Sequence, residues 1–313
     1  MPYIIIAGLV FFLALDVNFV IKNNEIIHNP LPVAKSINAT TEYINKLPIS
    51  EVKIIPQIKD SIEEFYINSV SGAVLDCETD LMLFDKQIDK QSSIASITKL
   101  MSALVFLDHN PGWDSIYEIK EDDRRDGGRI YLFTGEKVKV RDLFNISLVG
   151  SANTATIALA RSTGLSIDEF IAEMNNKSFE IGLNNTYFSD PSGLDYENVS
   201  TARDVAILAK IALDNQDINE TLSKNKYELV TLGGKKRIIY NTDELLWDTS
   251  NEKMKIIGGK TGHTNAAGYC FVGKFVDENG KEIITSILGA ETNKDRFLEA
   301  KKLSQWIYNN YNW

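Results

Sequence analysis

Two kinds of hydrophobic pattern alternate along the chain, and together they predict a sheet with helices inserted into it. Residues 69–87 have the pattern of two short strands joined by a turn, and further strand-like stretches follow residue 225. Over residues 96–109, and over much of 113–225, apolar residues recur at three- and four-residue intervals, which is typical of helices. This arrangement favours an α/β (α+β) fold, an antiparallel sheet of about five strands flanked by helices plus an inserted, mostly helical lobe. We expect a ligand to bind in the cleft between sheet and lobe.

The N-terminus carries a hydrophobic segment typical of exported proteins. Tyr3 to Leu15 is an uninterrupted apolar run, and a stretch punctuated by Asn, Lys and Pro follows it. The run suits the core of a signal peptide, because a membrane-spanning helix needs roughly 20 apolar residues. We expect residues 1–22 to be a signal peptide or an N-terminal membrane anchor, with an uncleaved anchor favoured over a cleaved signal and a buried N-terminal helix as the alternative. Residues 23–60 are then a linker and residues 61–313 a folded domain, with its helical lobe at roughly 113–225.

Composition and charge exclude several classes of protein. A formal net charge of −10 and an isoelectric point near 5.0 argue against a surface that binds nucleic-acid phosphates, because such a surface needs clustered Lys and Arg. The two cysteines, Cys77 and Cys270, form no CxxC pair and have the pattern of small buried hydrophobes. The three histidines have no metal-ligand spacing. We therefore expect no nucleic-acid partner, no metal site and no cofactor.

The first candidate for chemistry is Ser96-Ile97-Thr98-Lys99, at the start of an apolar helix pattern. Residues three apart on a helix share a face, about 5–6 Å apart at Cβ, so Lys99 can reach the Ser96 hydroxyl. A serine becomes a nucleophile when a neighbouring base takes its proton, and a lysine serves as that base when burial or a second cation lowers its pKa. The spacing alone is a weak signal, because a solvated helix face explains it equally well.

The second candidate is Ser151-Ala152-Asn153, which follows Gly150 and precedes an alanine-rich helix pattern. A hydroxyl and an amide two residues apart, in a loop or at a helix start, could offer one substrate a proton relay and a carboxamide. An ordinary helix cap explains the pair as well, because Ser and Asn are both favoured at that position. This motif therefore supports a catalytic interpretation only in combination with the other two motifs.

The third candidate is Lys260-Thr261-Gly262, within a glycine-rich strand pattern that continues to His263. A lysine among glycines is unusual in a core strand and natural at a sheet edge that a ligand approaches. The glycines would let a peptide lie against the backbone as an added strand, with Lys260 and Thr261 facing an anionic group such as a terminal carboxylate. The alternative is a solvated edge strand on which lysine discourages aggregation.

Together, the three motifs resemble those of a known family. Ser-x-x-Lys, Ser-x-Asn and Lys-Thr-Gly in this order are typical of class A β-lactamases and penicillin-binding proteins. The chain is similar to the low-molecular-mass penicillin-binding proteins, which are serine-type D-Ala-D-Ala carboxypeptidases, from about residue 61 to its end. Longer segments carry the resemblance too: ASITKLMSALVFLD, FSDPSGLDYENVSTARDVAILAKIAL, GGKTGHTNAAGYC and EAKKLSQWIY. The resemblance implies a β-lactamase/transpeptidase-like fold.

The resemblance also implies a role for each matching residue. Ser96 would be the acylated nucleophile, Lys99 its base, and Ser151 the group that passes a proton to the departing D-alanine. Backbone N–H groups of Ser96 and His263 would form the oxyanion hole. The remaining matches would bind or orient the substrate, with Arg296 helping to recognise its carboxylate: Asn153, Lys260, Thr261, Gly262, His263 and Arg296.

The implied substrate is the D-Ala-D-Ala end of a peptidoglycan stem peptide, and the implied inhibitors are β-lactams, which would acylate Ser96. The site of action would be the cell envelope, on the outer face of the cytoplasmic membrane, with membrane attachment through the N-terminal segment. Ala152 and Thr154 depart from the residues usual in the family at those positions, and both changes look tolerable. We expect no C-terminal β-rich domain of the kind that some family members carry.

Four alternatives bear on this interpretation. A D,D-endopeptidase that cuts peptidoglycan cross-links uses the same residues and stays open. A class A β-lactamase needs a glutamate that activates the deacylating water, and TYFSDPSGLD stands near the expected position, with Glu173 in a helix pattern instead. A non-catalytic scaffold is disfavoured because all reacting residues are present. A Ser-His-Asp hydrolase is disfavoured because the chain has no Gly-x-Ser-x-Gly elbow.

Overall fold

The described part of the computed structural model comprises residues 53–60, 64–248, 250 and 253–313, and the backbone of residues 21–22 and 25–26. The chain divides into two compact units, residues 1–52 and 53–313. In the first unit, strands β1 (Ile21–Lys22) and β2 (Glu25–Ile26) pair antiparallel. The predicted export segment, Tyr3 to Leu15, and most of the predicted linker at 23–60 lie outside the described residues.

The second unit contains strands and helices in the alternation that the hydrophobic pattern predicts. Its strands are β3 (Gln57–Ile58), β4 (Ser71–Asp76), β5 (Met82–Lys86), β6 (Ser92–Ser93), β7 (Ile116–Glu118), β8 (Lys137–Lys139), β9 (Val199–Ser200), β10 (Lys226–Val230), β11 (Lys236–Tyr240), β12 (Met254–Thr264), β13 (Gly268–Asp277), β14 (Glu282–Ala290) and β15 (Tyr311–Asn312). Its α-helices are α1 (Lys99–Asp108), α2 (Val140–Val149), α3 (Asn153–Ser162), α4 (Ile167–Glu180), α5 (Ala202–Asp214), α6 (Gln216–Leu222) and α7 (Asn293–Asn310). The described residues of this unit also form three 3₁₀ turns: η1 (Ala95–Thr98), η2 (Glu121–Asp123) and η3 (Glu244–Trp247).

A five-stranded antiparallel sheet in the order β12-β13-β14-β4-β5 forms the centre of this unit. Successive side chains of a strand point to opposite faces, so each strand contributes to two cores. On β4, Leu75 packs with helix α5 and the helical lobe, whereas Val74 packs with the C-terminal helix α7. The early strand β4 pairs with the late strand β14, with Gly72 opposite Ile287. The predicted fold class is confirmed.

The structure differs from the hydrophobic pattern at two places that matter for the site. The helical pattern that runs through residues 140–164 is interrupted, because α2 ends at Val149 and α3 begins at Asn153. Ser151 lies in the break with a φ of +54°, in the left-handed region that few non-glycine residues adopt. The helix predicted from Ser96 begins instead with the tighter turn η1, and α1 follows from Lys99.

Two smaller hairpins lie outside the central sheet. Strand β10 pairs with β11, and β7 pairs with β8 within the otherwise helical lobe. Both cysteines are free thiols, with Cys270 buried and Cys77 partly buried. Across the part of the chain that the structure describes, we find no helix both long and apolar enough to span a lipid bilayer.

Candidate active site

Ser96 and Lys99 meet at the junction between η1 and α1. Ala95, directly before Ser96, has a φ of +48°, which is uncommon for a non-glycine residue and turns the chain sharply at this point. Lys99 is the first residue of α1, and its Nζ lies 2.7 Å from Ser96 Oγ. The hydroxyl and the amine are therefore in hydrogen-bond contact.

The Lys99 amine is fully buried among uncharged acceptors. Its Nζ lies 2.8 Å from Asn153 Oδ1 and 2.5 Å from the carbonyl oxygen of Ser192. Burial lowers the pKa of Lys99 from its ordinary value of 10.5 to about 7, and the nearby carboxylate of Asp190 opposes this shift. A large share of the Lys99 side chains is therefore uncharged at neutral pH and able to accept a proton.

The segment that contributes the Ser192 carbonyl packs directly on the turn that holds Ser96. The Asp190 carboxylate accepts hydrogen bonds from the backbone N–H groups of Ser192 and Gly193, at 2.6 and 3.0 Å. Gly193 has a φ of +79°, and a Cβ there would lie 2.0 Å from the carbonyl oxygen of Ala95. Only glycine fits this position, so the segment fixes both the nucleophile turn and one acceptor of the lysine.

Ser151 and Lys260 form a second pair of hydroxyl and amine. Lys260 Nζ donates to Ser151 Oγ at 2.8 Å and to the Thr261 carbonyl oxygen at 3.0 Å. Lys260 is 1% exposed, and its burial lowers the pKa of the amine well below the ordinary value. The charge of Lys99, when that amine is protonated, and the charge of Arg296 lower this pKa further. The left-handed backbone of Ser151 presents its hydroxyl to the strand that carries Lys260.

Strand β12 packs at very short range against the turn formed by residues 94–96, which holds Ser96. A Cβ on Gly262 would lie 2.6 Å from the carbonyl oxygen of Ile94 and 3.2 Å from the backbone nitrogen of Ser96. A side chain at this position would push the strand away from the turn. The absent Cβ therefore sets the width between the Ser96 backbone and β12.

Three further side chains predicted to bind substrate lie on or beside β12. The Thr261 hydroxyl donates to Thr242 Oγ1 at 2.7 Å, and the His263 ring stacks on Tyr269 with centroids 4.0 Å apart. Arg296 is 6% exposed, and its Nη1 donates to the carbonyl oxygens of Gly262 and Cys270 at 2.9 and 3.3 Å. Its guanidinium thus ties the active-site strand to β13.

These residues converge on one groove between the sheet and the helical lobe, with a volume of about 700 Å³. Lys99 and Lys260 lie beneath its floor, each bonded to a serine that faces the groove. The other seven predicted residues line it: Ser96, Ser151, Asn153, Thr261, Gly262, His263 and Arg296. All nine positions predicted from the sequence therefore belong to a single cavity and its immediate support.

The structure adds two contributors that sequence analysis did not identify. The Ser192 carbonyl contacts Lys99, and its sequence signal is the turn-forming Asp-Pro-Ser-Gly within a segment noted only for its family resemblance. Asp243 is fully buried, and Asp243 Oδ1 accepts from the Leu245 N–H at 3.0 Å at the start of η3. Burial raises the pKa of Asp243 to about 7, and its charge opposes the lowering of the Lys260 pKa. Its sequence pattern predicts only a helix cap.

The position of Glu173 bears on the β-lactamase alternative. Glu173 lies within helix α4 and does not line the groove. Among the described residues that line the groove, the one carboxylate belongs to Glu244, on the turn η3. Glu173 therefore does not match the glutamate that class A β-lactamases use to activate water.

Comparison with known proteins identifies relatives along most of the folded unit. A chain from Haemophilus influenzae named D-alanyl-D-alanine carboxypeptidase DacA is 32% identical over 255 residues, which are 78% of this chain and 63% of that relative. A D-alanyl-D-alanine endopeptidase of Escherichia coli is 31% identical over 245 residues, 77% of each chain. The match thus spans less than two thirds of the carboxypeptidase and about three quarters of the endopeptidase.

The solved structures give the same result for the fold. The crystal structure of the Streptomyces K15 DD-transpeptidase matches with a TM-score of 0.72 at 27% identity, over 79% of this chain and 100% of that chain. A family model described as D-alanyl-D-alanine carboxypeptidase, Peptidase_S11, matches residues 58–292. That range contains all three motifs and the residues described as lining the groove, except Arg296. The chain belongs to the D-alanyl-D-alanine carboxypeptidase family.

Proposed function

We propose that this protein is a serine D,D-carboxypeptidase that removes the terminal D-alanine from peptidoglycan stem peptides through an acyl-enzyme on Ser96. The observation that carries the proposal is the 2.7 Å contact between Ser96 Oγ and the buried amine of Lys99. A lysine whose pKa is lowered to about 7 serves as a general base near neutral pH, which an exposed lysine does poorly.

Acylation begins when uncharged Lys99 accepts the proton of Ser96 Oγ. The oxygen then attacks the carbonyl carbon of the penultimate D-alanine, and the negative charge that develops on the carbonyl oxygen is stabilised by the backbone N–H groups of Ser96 and His263. Such donors contribute about 3–4 kcal/mol in acyl transfer. The short approach of Gly262 to the Ser96 backbone supports this assignment, because it brings the two donors to one side of the groove.

Departure of the terminal D-alanine requires a proton on its amine. Ser151 donates that proton and is reprotonated by the proton that Lys99 took from Ser96, so Lys99 is uncharged again. Lys260, 2.8 Å away, holds the Ser151 hydroxyl in place. Asn153 orients the amide of the donor peptide, and Thr261 binds the carboxylate of the departing residue. Arg296 supports that end of the groove through the Gly262 and Cys270 carbonyls. Water then attacks the Ser96 ester while uncharged Lys99 takes its proton. The ester C–O bond breaks, the shortened peptide leaves, and Lys99 returns the proton to Ser96 Oγ, which restores the free enzyme.

Endopeptidase action on cross-links is the second candidate, and the relative named D-alanyl-D-alanine endopeptidase favours it. Both reactions cleave the bond on the carboxyl side of a D-alanine, so the acylation step is the same. They differ in the leaving group, which is free D-alanine in one case and a second stem peptide in the other. The groove must be wider on the leaving-group side for the second reaction.

Acylation by penicillin followed by mass spectrometry tests the proposal. The described domain should gain one penicilloyl adduct, mapped to Ser96, and Ser96→Ala should gain none. Ser223→Ala is the matched control, because Ser223 belongs to another Ser-x-x-Lys sequence, lies outside the groove and leaves the nucleophile in place. Absence of any adduct, or an adduct elsewhere, would refute the assignment and favour a non-catalytic scaffold. Slow release of the adduct is expected, and rapid nitrocefin turnover would instead indicate a β-lactamase.

Purified sacculi distinguish the two peptidase reactions. A carboxypeptidase converts monomeric pentapeptides to tetrapeptides with release of D-alanine, whereas an endopeptidase converts cross-linked dimers to monomers. We expect the first product to dominate, and release of monomers without D-alanine would establish the endopeptidase. Ser96→Ala protein, which should produce neither, serves as the control.

The substrate places the enzyme in the cell envelope, and we propose that residues 1–22 direct the chain to the outer face of the cytoplasmic membrane and hold it there. The apolar run from Tyr3 to Leu15 supports this proposal. Residues 23–60 would then be the tether and 61–313 the catalytic domain. Fractionation of cells that express the full chain should recover it with the membrane, in a form that externally added protease can degrade. Recovery in the cytoplasm would refute the proposal.

A further inference from the structure

Three arginines, Arg124, Arg125 and Arg129, occur within six residues, and of these three Arg129 lines the groove. Arg124 forms an ion pair with Glu121 at 3.0 Å. Arg125 donates through Nη1 to the carbonyl oxygens of Asp122 and Arg124, both at 2.8 Å. Within the described residues, the guanidinium of Arg129 has no hydrogen bond or ion pair, and Arg129 lines the groove. Arg129 is exposed and free to bind a ligand.

The backbone before Arg129 is anchored to a side chain of the proposed catalytic centre. Asn153 Nδ2 donates to the Gly127 carbonyl oxygen at 3.1 Å, while Asn153 Oδ1 accepts from Lys99. A Cβ on Gly127 would lie 3.4 Å from Leu194 Cδ2, so the segment also touches the loop that follows Ser192. Under the proposed function, Asn153 orients the peptide on the acyl-donor side of the scissile bond. Arg129, two residues after Gly127, therefore belongs to the donor side of the groove.

The charges around the groove favour an anionic ligand at Arg129. The protein as a whole carries a formal net charge of −10. An unpaired cation that lines the groove therefore provides a local positive charge on a protein that is negative overall. Arg296 is buried and already donates to backbone carbonyls. Glu244, the acid among the described lining residues, is on the sheet side in η3 and accepts from Asn293 at 2.8 Å. Arg129 is thus the cation available to a peptide in the groove.

We propose that Arg129 binds a carboxylate on the donor part of the stem peptide, N-terminal to the scissile D-Ala-D-Ala, and that the enzyme therefore prefers stem peptides carrying that charge. This inference rests on the proposed function. A guanidinium presents parallel N–H donors that match the two oxygens of a carboxylate, which makes arginine a selective partner for such a group. Two carboxylates can occur there: one on a diamino-dicarboxylic acid directly before the D-alanines, and the α-carboxylate of the γ-linked D-glutamate before that.

Steady-state hydrolysis of matched peptides by the wild type and by Arg129→Gln tests the proposal. One pair of substrates has diaminopimelic acid or lysine directly before D-Ala-D-Ala, and a second pair has a γ-linked D-glutamate whose α-carboxylate is free or amidated. For one pair, we expect Arg129→Gln to reduce a ratio about 10-fold, equivalent to about 1.4 kcal/mol. The ratio is kcat/KM for the substrate with the additional carboxylate divided by kcat/KM for the substrate without it. The change should lie mainly in KM, and Arg129→Lys should restore part of it. The pair that responds identifies the carboxylate.

Arg125→Gln is the matched control, since it removes a cation from the same segment that is already bonded to backbone, and both ratios should stay at the wild-type value. An equal loss for charged and uncharged substrates in Arg129→Gln would overturn the proposal, as would unchanged ratios for both pairs. Acylation of Arg129→Gln by penicillin reports separately on folding and on Ser96. If the wild type neither hydrolyses any of the peptides nor forms a penicilloyl adduct, the proposed function itself fails.

Discussion

Two buried lysines in the same fold have opposite electrostatic environments. Lys274, on strand β13, is 4% exposed and forms ion pairs with Asp214 and Glu282 at 2.8 and 3.0 Å. Its burial pulls the pKa down, but the two carboxylates outweigh that effect and the pKa of Lys274 is raised. Lys99 is more deeply buried, at 0% exposed, and contacts a hydroxyl, an amide oxygen and a carbonyl oxygen. Its pKa is lowered to about 7.

The comparison shows that burial alone does not make a lysine a base. Desolvation lowers the pKa of both amines, and Lys99 is the more deeply buried of the two. The carboxylates in contact with Lys274 reverse the direction of the shift for that residue. Uncharged acceptors satisfy the N–H groups of Lys99 without compensating its charge, whereas carboxylates compensate the charge of Lys274. Lys260 follows the Lys99 pattern, since its Nζ contacts the Ser151 hydroxyl and a backbone carbonyl. Lys99 and Lys260, at the groove, therefore keep lowered pKa values, whereas Lys274 keeps its positive charge.

Asn153→Asp should produce the largest effect, because it gives Lys99 a carboxylate partner like those of Lys274. An acid 2.8 Å from Nζ raises the pKa of Lys99 by about one to three pH units. The kcat/KM for peptide hydrolysis at pH 7 should fall roughly 10- to 1000-fold, and part of the loss should return at higher pH. The pH dependence of kcat/KM measures both effects.

Asn153→Ala controls for the loss of the carboxamide, because it removes the amide without adding a charge. Its activity should also fall, but the midpoint of its pH profile should not move to higher pH. If Asn153→Asp and Asn153→Ala have the same midpoint, the electrostatic explanation of the difference between Lys99 and Lys274 is wrong.

The wild-type enzyme should show a smaller effect of pH, with a midpoint set by Lys99. The base form of Lys99 lacks the proton, so acylation should rise as pH increases through about 7 and fall roughly 10-fold for each unit below that. The second-order rate constant for acylation by penicillin, measured from pH 5 to pH 9, reports this directly. A midpoint near 10, the value of an exposed lysine, would mean that the amine is not desolvated.

The smallest effect on activity should come from Lys274. Replacing both of its partners, Asp214→Asn with Glu282→Gln, leaves a buried cation without compensating charge and should lower the free energy of unfolding by about 2 kcal/mol. Acylation rate and its pH midpoint should stay unchanged. Urea denaturation and penicillin labelling measure the two properties, with Asp80→Asn as the control, because the more exposed pair of Asp80 with Lys210 should contribute less than about 1 kcal/mol. A shift in the pH midpoint of the double variant would show that the two lysines are coupled.

Much of the fold and part of the site follow from local sequence pattern. Strand patterns on both sides of a helical region predicted the sheet, because period-two and period-3.6 hydrophobicity are strong signals. The contact between Ser96 and Lys99 follows from their three-residue spacing, which holds even though Ser96 lies in a 3₁₀ turn. These features depend on neighbours in sequence, and sequence reports such neighbours well.

Other features of the site depend on partners that are distant in sequence. Gly150 and the capping residues Ser151 and Asn153 indicate a helix start near this point, but no local pattern predicts that the Ser151 hydroxyl turns towards Lys260 on β12. The Ser192 carbonyl is a backbone group, and every residue has one, so no residue type marks its contact with Lys99. Asp243 has the sequence pattern of a cap, and its proximity to Lys260 arises only from packing. Tertiary contacts determine these features.

The pairing of β4 with β14 has a consequence for how the protein matures. Residues 71–76 leave the ribosome or the export channel long before residues 282–290, so the central sheet cannot close until nearly the whole chain has emerged. Long-range strand pairing of this kind slows folding. Lys99 acquires its low pKa only when the sheet and lobe enclose it, and before then it is an ordinary solvated ammonium that leaves Ser96 inert. The moment at which penicillin reactivity appears during synthesis would therefore report when the last step of folding is complete.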